Sequence, residues 1–375
     1  TNNGNVAGSD DCVGGFVGYI QSGTITISDS TNNGNVTGSM VYVGGFVGSI
    51  SGDSTGNMII SHSVNYGNAI GSGYYVGGFV GSISGDFNGN MIISHLVNYG
   101  NVIGSGYYVG GFVGSISGNS NRNMTISNSS NNGNVSGKYN HVGGLVGQIC
   151  NNLNITLTIS NSLNNGNVTG GDDVGGFIGK IENNKNIRIG TDDSINSGIV
   201  HGSKYKNVGG MIGGIHSNKN IEINYSNTVN HGTIIGKGDH FGGFVGHINN
   251  NLKVDMVISN STNCGIVNGS NKNVGGFVGF FYNNTMTTVA ISSSIHNGTV
   301  YGKYNIGGFV GSIETNPDMT LNVSNCISYG SVTGRYYGPV GGFVGVICDS
   351  KNIAVTISSS TNNGNITGGN SAGGF

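Results

Sequence analysis

The sequence contains nine histidines, five cysteines and sixteen acidic residues, the side chains from which metal sites and acid–base catalysts are built. The chain is a tandem repeat of about 33 residues, and equivalent positions of successive repeats are called a column here. His62 and His95 share one column, but the same column holds Asp29, Asn128 and Asn161 in other repeats. Such variation within a column is typical of a polar ladder that faces solvent. We therefore predict no metal site.

Glycoside cleavage would need two carboxyl groups that face each other about 5 to 10 Å apart. We expect the paired acids in turns: Asp10-Asp11, Asp172-Asp173 and Asp192-Asp193. We expect the three glutamates in different columns: Glu182, Glu222 and Glu314. Lysine and arginine are scattered along the chain. The recurrent GGFVG is not followed by a helix, so it is neither a phosphate loop nor a dinucleotide fingerprint. The sequence therefore predicts no catalytic residue and no cofactor.

The cysteines do not form a disulfide framework. Cys150 and Cys348 occupy equivalent positions but lie six repeats apart. At about 4.8 Å per coil of a stacked structure this separation is about 29 Å, whereas a disulfide needs Cα atoms within about 7 Å. We expect free thiols.

Tyrosines form a candidate patch for a glycan or a partner protein. Tyr42, Tyr75 and Tyr108 recur at one position of three successive repeats, and Tyr74 and Tyr107 precede two of them. Stacked aromatic side chains can hold a sugar or a partner chain, but they also support cross-strand pairing. Both interpretations stay open.

Candidate N-glycosylation sites form a second feature. The acceptor sequence N-x-S/T occurs about as often as the abundance of Asn, Ser and Thr predicts. Four acceptors nevertheless share one column that we expect to be exposed: Asn35, Asn134, Asn167 and Asn365. In a secreted eukaryotic protein these four would carry glycan.

A tandem repeat positions all of these residues. The motif VGGFVG recurs from Gly14 to Gly373 at intervals of 30 to 34 residues, which gives eleven periods and leaves no room for another domain in residues 1–375. Each period has three pieces with strand character: NxGxVxG, VGGFVGxI and a short alternating run such as Thr24–Ser28. No piece has helical spacing, and the glycine content disfavours helix.

The middle piece is apolar at alternate positions of both faces, which is typical of a strand buried on both sides. We predict an all-β, parallel β-solenoid of about eleven coils of 32–34 residues, with three short strands per coil layered around a doubly buried VGGFVG strand. A phenylalanine ladder is expected along its axis: Phe16, Phe46, Phe79, Phe112, Phe177, Phe244, Phe277, Phe309 and Phe343. The adjacent glycines would admit a closely approaching layer, from the same chain or from a second one.

NxGxVxG followed by VGG(F/L)VG resembles the GLUG-motif repeat, which occurs in very large repetitive surface proteins and adhesins. The resemblance extends over the whole chain and implies a β-solenoid, but it implies little about a ligand. Phenylalanine replaces the family's Leu or Ile except at Leu145, and the coil is longer, with an Asn/Ser-rich stretch such as residues 49–57.

The composition restricts the function. Gly accounts for 73 of 375 residues, charged residues for only 8%, and the net charge is −2. There is therefore no basic footprint for nucleic acid. There is also no apolar run long enough to span a membrane.

We expect a non-catalytic extracellular or cell-surface structural protein, a fibre, stalk or filament segment that self-associates end to end or side by side. The first and last residues match the repeat without caps, so the chain is expected to be a window of a longer one. The alternative is an adhesin that binds glycans or a receptor through its Tyr and polar ladders, and a polysaccharide-cleaving enzyme is the least favoured reading.

Overall fold

A computed structural model describes residues 1–52, 56–86, 89–139, 141–204, 206–336, 338–369 and 371–374, and within a strand it leaves out the side chains of residues 119–121. The described residues contain no helix, and each strand pairs in parallel with the equivalent strand of the next coil. Register follows the repeat, with Val36 opposite Val6 and Ala69. The predicted parallel β-solenoid of about eleven coils is therefore confirmed. Part of the 49–57 stretch, residues 53–55, lies outside the described residues.

Four parallel sheets run along the solenoid, numbered here in the order in which one coil enters them. Sheet 1 contains Thr31–Asn32, Val64–Asn65, Val97–Asn98, Ser130–Asn131, Leu163–Asn164, Ile195–Asn196, Val229–Asn230, Thr262–Asn263, Ile295–His296, Ile327–Ser328 and Thr361–Asn362. Sheet 2 contains Val6–Gly8, Val36–Gly38, Ala69–Gly71, Val102–Gly104, Val135–Gly137, Val168–Gly170, Val200–Gly202, Ile234–Gly236, Val267–Gly269, Val300–Gly302, Val332–Gly334 and Ile366–Thr367. Sheet 3 contains Cys12–Gly14, Tyr42–Gly44, Tyr75–Gly77, Tyr108–Gly110, Val142–Gly143, Val174–Gly175, Lys206–Gly209, Asp239–Gly242, Lys272–Gly275, Tyr304–Gly307, Pro339–Gly341 and Ser371–Gly373.

Sheet 4 has two arms in most coils. Its first arm contains Val17–Ile20, Val47–Ile50, Val80–Ile83, Ile178–Glu182, Ile212–His216, Val245–Asn249, Val278–Tyr282, Val310–Glu314 and Val344–Cys348. Its second arm contains Ile25–Ser28, Met58–Ser61, Met91–Ser94, Lys185–Asp192, Lys219–Ser226, Leu252–Ser259, Thr285–Ser292, Met319–Ser324 and Ala354–Ser358. In two coils the arms join into the single strands Val113–Ser127 and Val146–Ser160.

A coil thus holds five strand segments where the sequence predicted three. The NxGxVxG piece is interrupted by a turn between Asn32 and Val36, and VGGFVG bends at Gly45 and Phe46. The bend places Val43 in a smaller core with the valines of sheet 2, while Phe46 and Val47 both enter a larger core with sheet 4. The motif is buried throughout, as expected, but it links two cores and does not form one straight strand between two layers.

The motif glycines are required by the approach of neighbouring coils of the same chain. A Cβ at Gly45 would collide with the carbonyl oxygen of Gly78 in the next coil, and one at Gly44 would collide with the carbonyl oxygen of Val47 across the bend. Of the two sources of a closely packed layer that the sequence left open, the structure therefore shows the chain itself.

Buried asparagines form a ladder beneath sheet 1 that the sequence reading did not identify. The side chain of Asn131 donates from Nδ2 to Oδ1 of Asn164 (2.9 Å), and Asn164 donates to Oδ1 of Asn196 (2.9 Å) and to the carbonyl of Gly166 (3.0 Å). The ladder runs from Asn32 to Asn263 and ends at His296, whose two ring nitrogens are buried without a hydrogen-bond partner. A second buried ladder runs from Asn152 to Asn316 beside sheet 4.

Candidate functional site

The bend of VGGFVG creates the candidate site by bringing three columns of side chains to one corner of each coil. These corner columns stand two residues before, five after and seven after the first glycine of the motif. In one coil they are Tyr42, Ser49 and Ser51, and in another they are Asp173, Lys180 and Glu182. Contacts between the columns, such as Lys180 Nζ to Asp173 Oδ2 at 3.5 Å, show that they share one side of the wall.

At one end of the corner columns the predicted tyrosine patch forms two stacks. Tyr75 lies between Tyr42 and Tyr108, with ring centroids 5.0 and 4.8 Å away, and its half-burial raises the pKa of the Tyr75 hydroxyl to about 12, with Tyr108 adding to the shift. Tyr74 and Tyr107 stack at 5.6 Å outside them and are 51% and 38% exposed. The inner stack is thus part of the wall, and only the outer pair offers open ring surface.

In the middle of the corner columns the tyrosines give way to a buried ionic cluster around Asp173. His216 Nε2 lies 3.0 Å from Oδ1 of this carboxylate, His141 Nε2 lies 3.4 Å from Oδ2, and Asn207 donates to Oδ1 at 2.7 Å. Burial alone would raise the pKa of Asp173, but His216 and His141 outweigh it and hold the pKa well below its ordinary value. Asp173 is therefore a carboxylate at neutral pH.

Lys180 completes this cluster. It pairs with both Asp173 and Glu182, and these two carboxylates raise the pKa of its ammonium group although burial opposes them. The cluster brings acids, a lysine and two imidazoles into contact, which is a combination that can orient a polar ligand or move a proton.

Beyond the ionic cluster the corner columns hold neutral imidazoles. His240 and His247 pack with ring centroids 4.3 Å apart and both contact Phe280. Burial lowers the pKa of His240 to about 3, with a smaller effect of Lys206, and it holds the pKa of His247 well below its ordinary value. Both rings are therefore uncharged in neutral solution. They pack on Phe280, and His240 also donates from Nδ1 to Oδ1 of Asn207 at 2.9 Å.

Two expectations about acidic residues were wrong. Asp173 was expected in an isolated turn pair but is buried, because its column faces the corner. Glu182 and Glu314 share a column, four coils apart along the pairing, although separate columns were expected. At about 4.8 Å per coil they are about 19 Å apart, which is too far for a carboxylate pair.

A row of charged residues also lies on sheet 4. Arg188, Glu222 and Asp255 are consecutive in register, and Arg188 contacts Glu222 from Nε and Nη2 at 2.8 Å. The hydrogen bond from Arg188 lowers the pKa of Glu222. A general acid would need a raised pKa, so this row does not hold one at Glu222.

The histidine column of the second arm has a structural explanation. His62 and His95 stack at 4.5 Å, and they stand with Asp29, Asn128 and Asn161 at a turn position of positive φ. Asp and Asn tolerate this conformation better than most residues. Among the described residues no group of three or more His, Cys, Asp or Glu side chains has the geometry to hold a metal ion. All five cysteines are free thiols.

The four candidate glycosylation sites share one column just before sheet 2, and all four are exposed: Asn35, Asn134, Asn167 and Asn365. Three of them also hold the coils together, because their Oδ1 atoms accept a hydrogen bond from the next coil, for example from the backbone N–H of Asn68 to Asn35 at 2.9 Å. The column therefore has a role in stacking in addition to any modification.

Comparison of the chain with protein-family models, with curated proteins and with solved structures gave no match. In the part of the chain that the structure describes, no helix has the length and apolarity needed to cross a membrane. The functional argument therefore depends on the residues and their geometry.

Proposed function

We propose that this chain is a non-catalytic structural rod, a segment of an extracellular fibre, stalk or filament. The observation that supports the proposal is the repetition of the same contact in consecutive coils. Phe277, for example, stacks on Phe244 and on Phe309 at 4.8 Å in both directions, and the buried asparagines bond to their equivalents one coil away. Such an array gains stability with every added coil, so its length is free to increase.

The low charge fits the same role. Stacking identical coils about 4.8 Å apart would place like charges next to each other, whereas Asn can donate to one neighbour and accept from the other. The resemblance to GLUG-motif repeats of surface proteins is consistent with this proposal, and it is the basis for a location outside the cell.

Electron microscopy of the native material tests the structural role. We expect continuous filaments or long rods of uniform width. A separate measurement of the intact mass gives the chain length and the glycan load together. Discrete short particles that show no association at any protein concentration would contradict self-assembly, end to end or side by side.

The second candidate function is that of an adhesin, and the exposed tyrosine pair supports it. The test is a glycan array with the double variant Tyr74→Ala/Tyr107→Ala. The matched control is Tyr66→Ala/Tyr99→Ala, because these rings are at least as exposed and stack at 5.2 Å on another face. Binding that is lost in the first variant alone supports an adhesin, and equal binding in both variants excludes this patch as the glycan-binding site.

Release of reducing ends from polysaccharides by the unmodified chain would overturn the non-catalytic proposal.

A further inference from the structure

A cleft of about 620 Å³ lies in the loops that connect sheet 2 to sheet 3, outside the corner columns. Four cationic side chains line it: Lys206, Lys237, Lys303 and Arg335. The rest of the lining is polar or aromatic and includes Asn268, Ser270, Asn271 and Tyr301, with Asp239 as the only carboxylate among the described lining residues. The cleft is thus a local concentration of positive charge on a chain whose net charge is −2.

The charges of the chain are distributed unevenly along the solenoid. Residues 1–137 contain five acids and a single cation, Arg122, while residues 138–375 contain eleven acids and thirteen cations. Between Lys204 and Arg335, six of those cations lie in the loops from sheet 2 to sheet 3 or at the first residue of a sheet 3 strand, against one acid, Asp239. The expectation of scattered basic residues is therefore wrong for these loops.

The cations of the cleft are stacked without compensation. Lys237, Lys303 and Arg335 each follow the glycine that closes a strand of sheet 2, so they share one column, and Lys303 and Arg335 belong to adjacent coils. Adjacent like charges are unfavourable. Among the residues that the structure describes, no carboxylate lies within 4.0 Å of the four cations.

Aromatic rings lie against two of the four cations and do not neutralise them. The Arg335 guanidinium lies over the Tyr301 ring at 4.6 Å, and Lys303 Nζ lies 5.8 Å from the Tyr336 ring. Asp239, which lies within the cleft, accepts hydrogen bonds from Asn271 Nδ2 at 2.6 Å and from the backbone N–H of Lys272 at 3.4 Å. The positive charge of the cleft therefore faces solvent.

We propose that this cleft binds a linear acidic polysaccharide, carboxylated or sulfated, that runs along the solenoid axis. The cleft presents about one cation for every coil of about 4.8 Å, whereas a nucleic acid carries one charge per 1.7 Å of duplex or 3.4 Å of single strand. The cation spacing is thus wider than that of phosphates in a nucleic acid and is closer to that of a polymer whose charges are separated by sugar rings. Ser270, Asn268 and Tyr301 line the cleft and supply polar groups that can form hydrogen bonds with those sugars. The proposal does not depend on filament formation.

The test measures binding of the full chain to dextran sulfate and to polygalacturonate by calorimetry at several salt concentrations, with uncharged dextran and oligo-dT as comparison polymers. The variant is Lys237→Gln/Lys303→Gln/Arg335→Gln. The matched control is Lys185→Gln/Lys219→Gln/Lys253→Gln, which removes the same charge from exposed positions on sheet 4. Thermal melting of both variants confirms that they fold.

We expect binding to at least one acidic polysaccharide, a rise in Kd of about tenfold or more in the cleft variant, and less than a twofold change in the control. The dependence of log Kd on log salt should become shallower by about 2, since three cations each contribute about 0.7. Equal losses in the two variants, or no binding to either acidic polysaccharide, would overturn the proposal. Tighter binding to oligo-dT would replace the polysaccharide with a nucleic acid.

Discussion

The buried asparagine ladder provides the sharpest test of what holds the coils together. Asn164→Leu keeps a branched side chain of similar size but removes every polar atom. The carbonyl of Gly166 and Oδ1 of Asn196 then lose their donor, and one N–H of Asn131 loses its acceptor. Each buried polar group left without a partner costs about 1–3 kcal/mol, so the three together destabilise the local structure by about 3–9 kcal/mol.

Hydrogen exchange read by mass spectrometry measures this effect where it occurs. Because coils interact only with their neighbours, exchange should accelerate in peptides from residues 131–198 and stay unchanged in residues 36–50. A loss of 3 kcal/mol corresponds to at least about a hundredfold faster exchange, since 1.4 kcal/mol is tenfold.

The adjacent residue provides the control for this prediction. Asn165 is exposed and donates to Asn132 at 2.8 Å, so Asn165→Leu should change stability by less than about 0.5 kcal/mol. If Asn164→Leu exchanges no faster than Asn165→Leu, the ladder does not stabilise the coils and the reasoning is wrong.

Three further predictions follow from the core and from its titratable groups. Phe277→Ala should cost about 3–5 kcal/mol in urea denaturation because the ring is buried between two others, and a cost below about 1 kcal/mol would exclude the phenylalanine ladder as a source of stability. Burial lowers the pKa of His296 to about 4, so the unfolded chain binds more protons than the folded chain between pH 6.5 and 4. Stability must therefore fall as the pH drops through this window. His296→Asn should restore the hydrogen bond from Asn263 and flatten that part of a profile of melting temperature against pH, and an unchanged slope would contradict this prediction. Asp173→Asn should weaken the contacts with His141 and Lys180 and lower the melting temperature at pH 7. The effect should be smaller at acid pH, because the unmodified chain also loses the stabilisation by the ionised carboxylate there. An equal effect at all pH values would show that the charge of Asp173 is irrelevant to stability.

The sequence predicts the solenoid because a repeat restricts the fold more than single elements do. Eleven copies of VGGFVG identify the register of every strand, so Phe16 could be placed beside Phe46 without coordinates. The corner columns could not be predicted in this way. In a straight strand the positions of Asp173 and Lys180, seven residues apart, point to opposite faces, and only the bend after Gly175 brings them to one side.

The asparagine ladder was missed for a related reason. Asn is common in turns, and the repeated Asn before Gly, as in Asn164 and Gly166, only opens the NxGxVxG piece, so its residue type alone indicates no interior role. The signal was present, because turn residues vary between coils while this position is Asn in eight successive coils from Asn32 to Asn263. Invariance within a repeat indicates an interior position, polar or not.

Variation within a column does not by itself indicate an exposed position, as the buried Asp173 cluster shows. A column of identical residues must be neutral, since like charges one coil apart repel each other. A buried charge is tolerated only where the neighbouring columns also change to supply partners, as Lys180 and His216 do for Asp173. Departures from the repeat that compensate one another are structural, whereas those that leave charge of one sign uncompensated, as at Lys303 and Arg335, are where a ligand is expected.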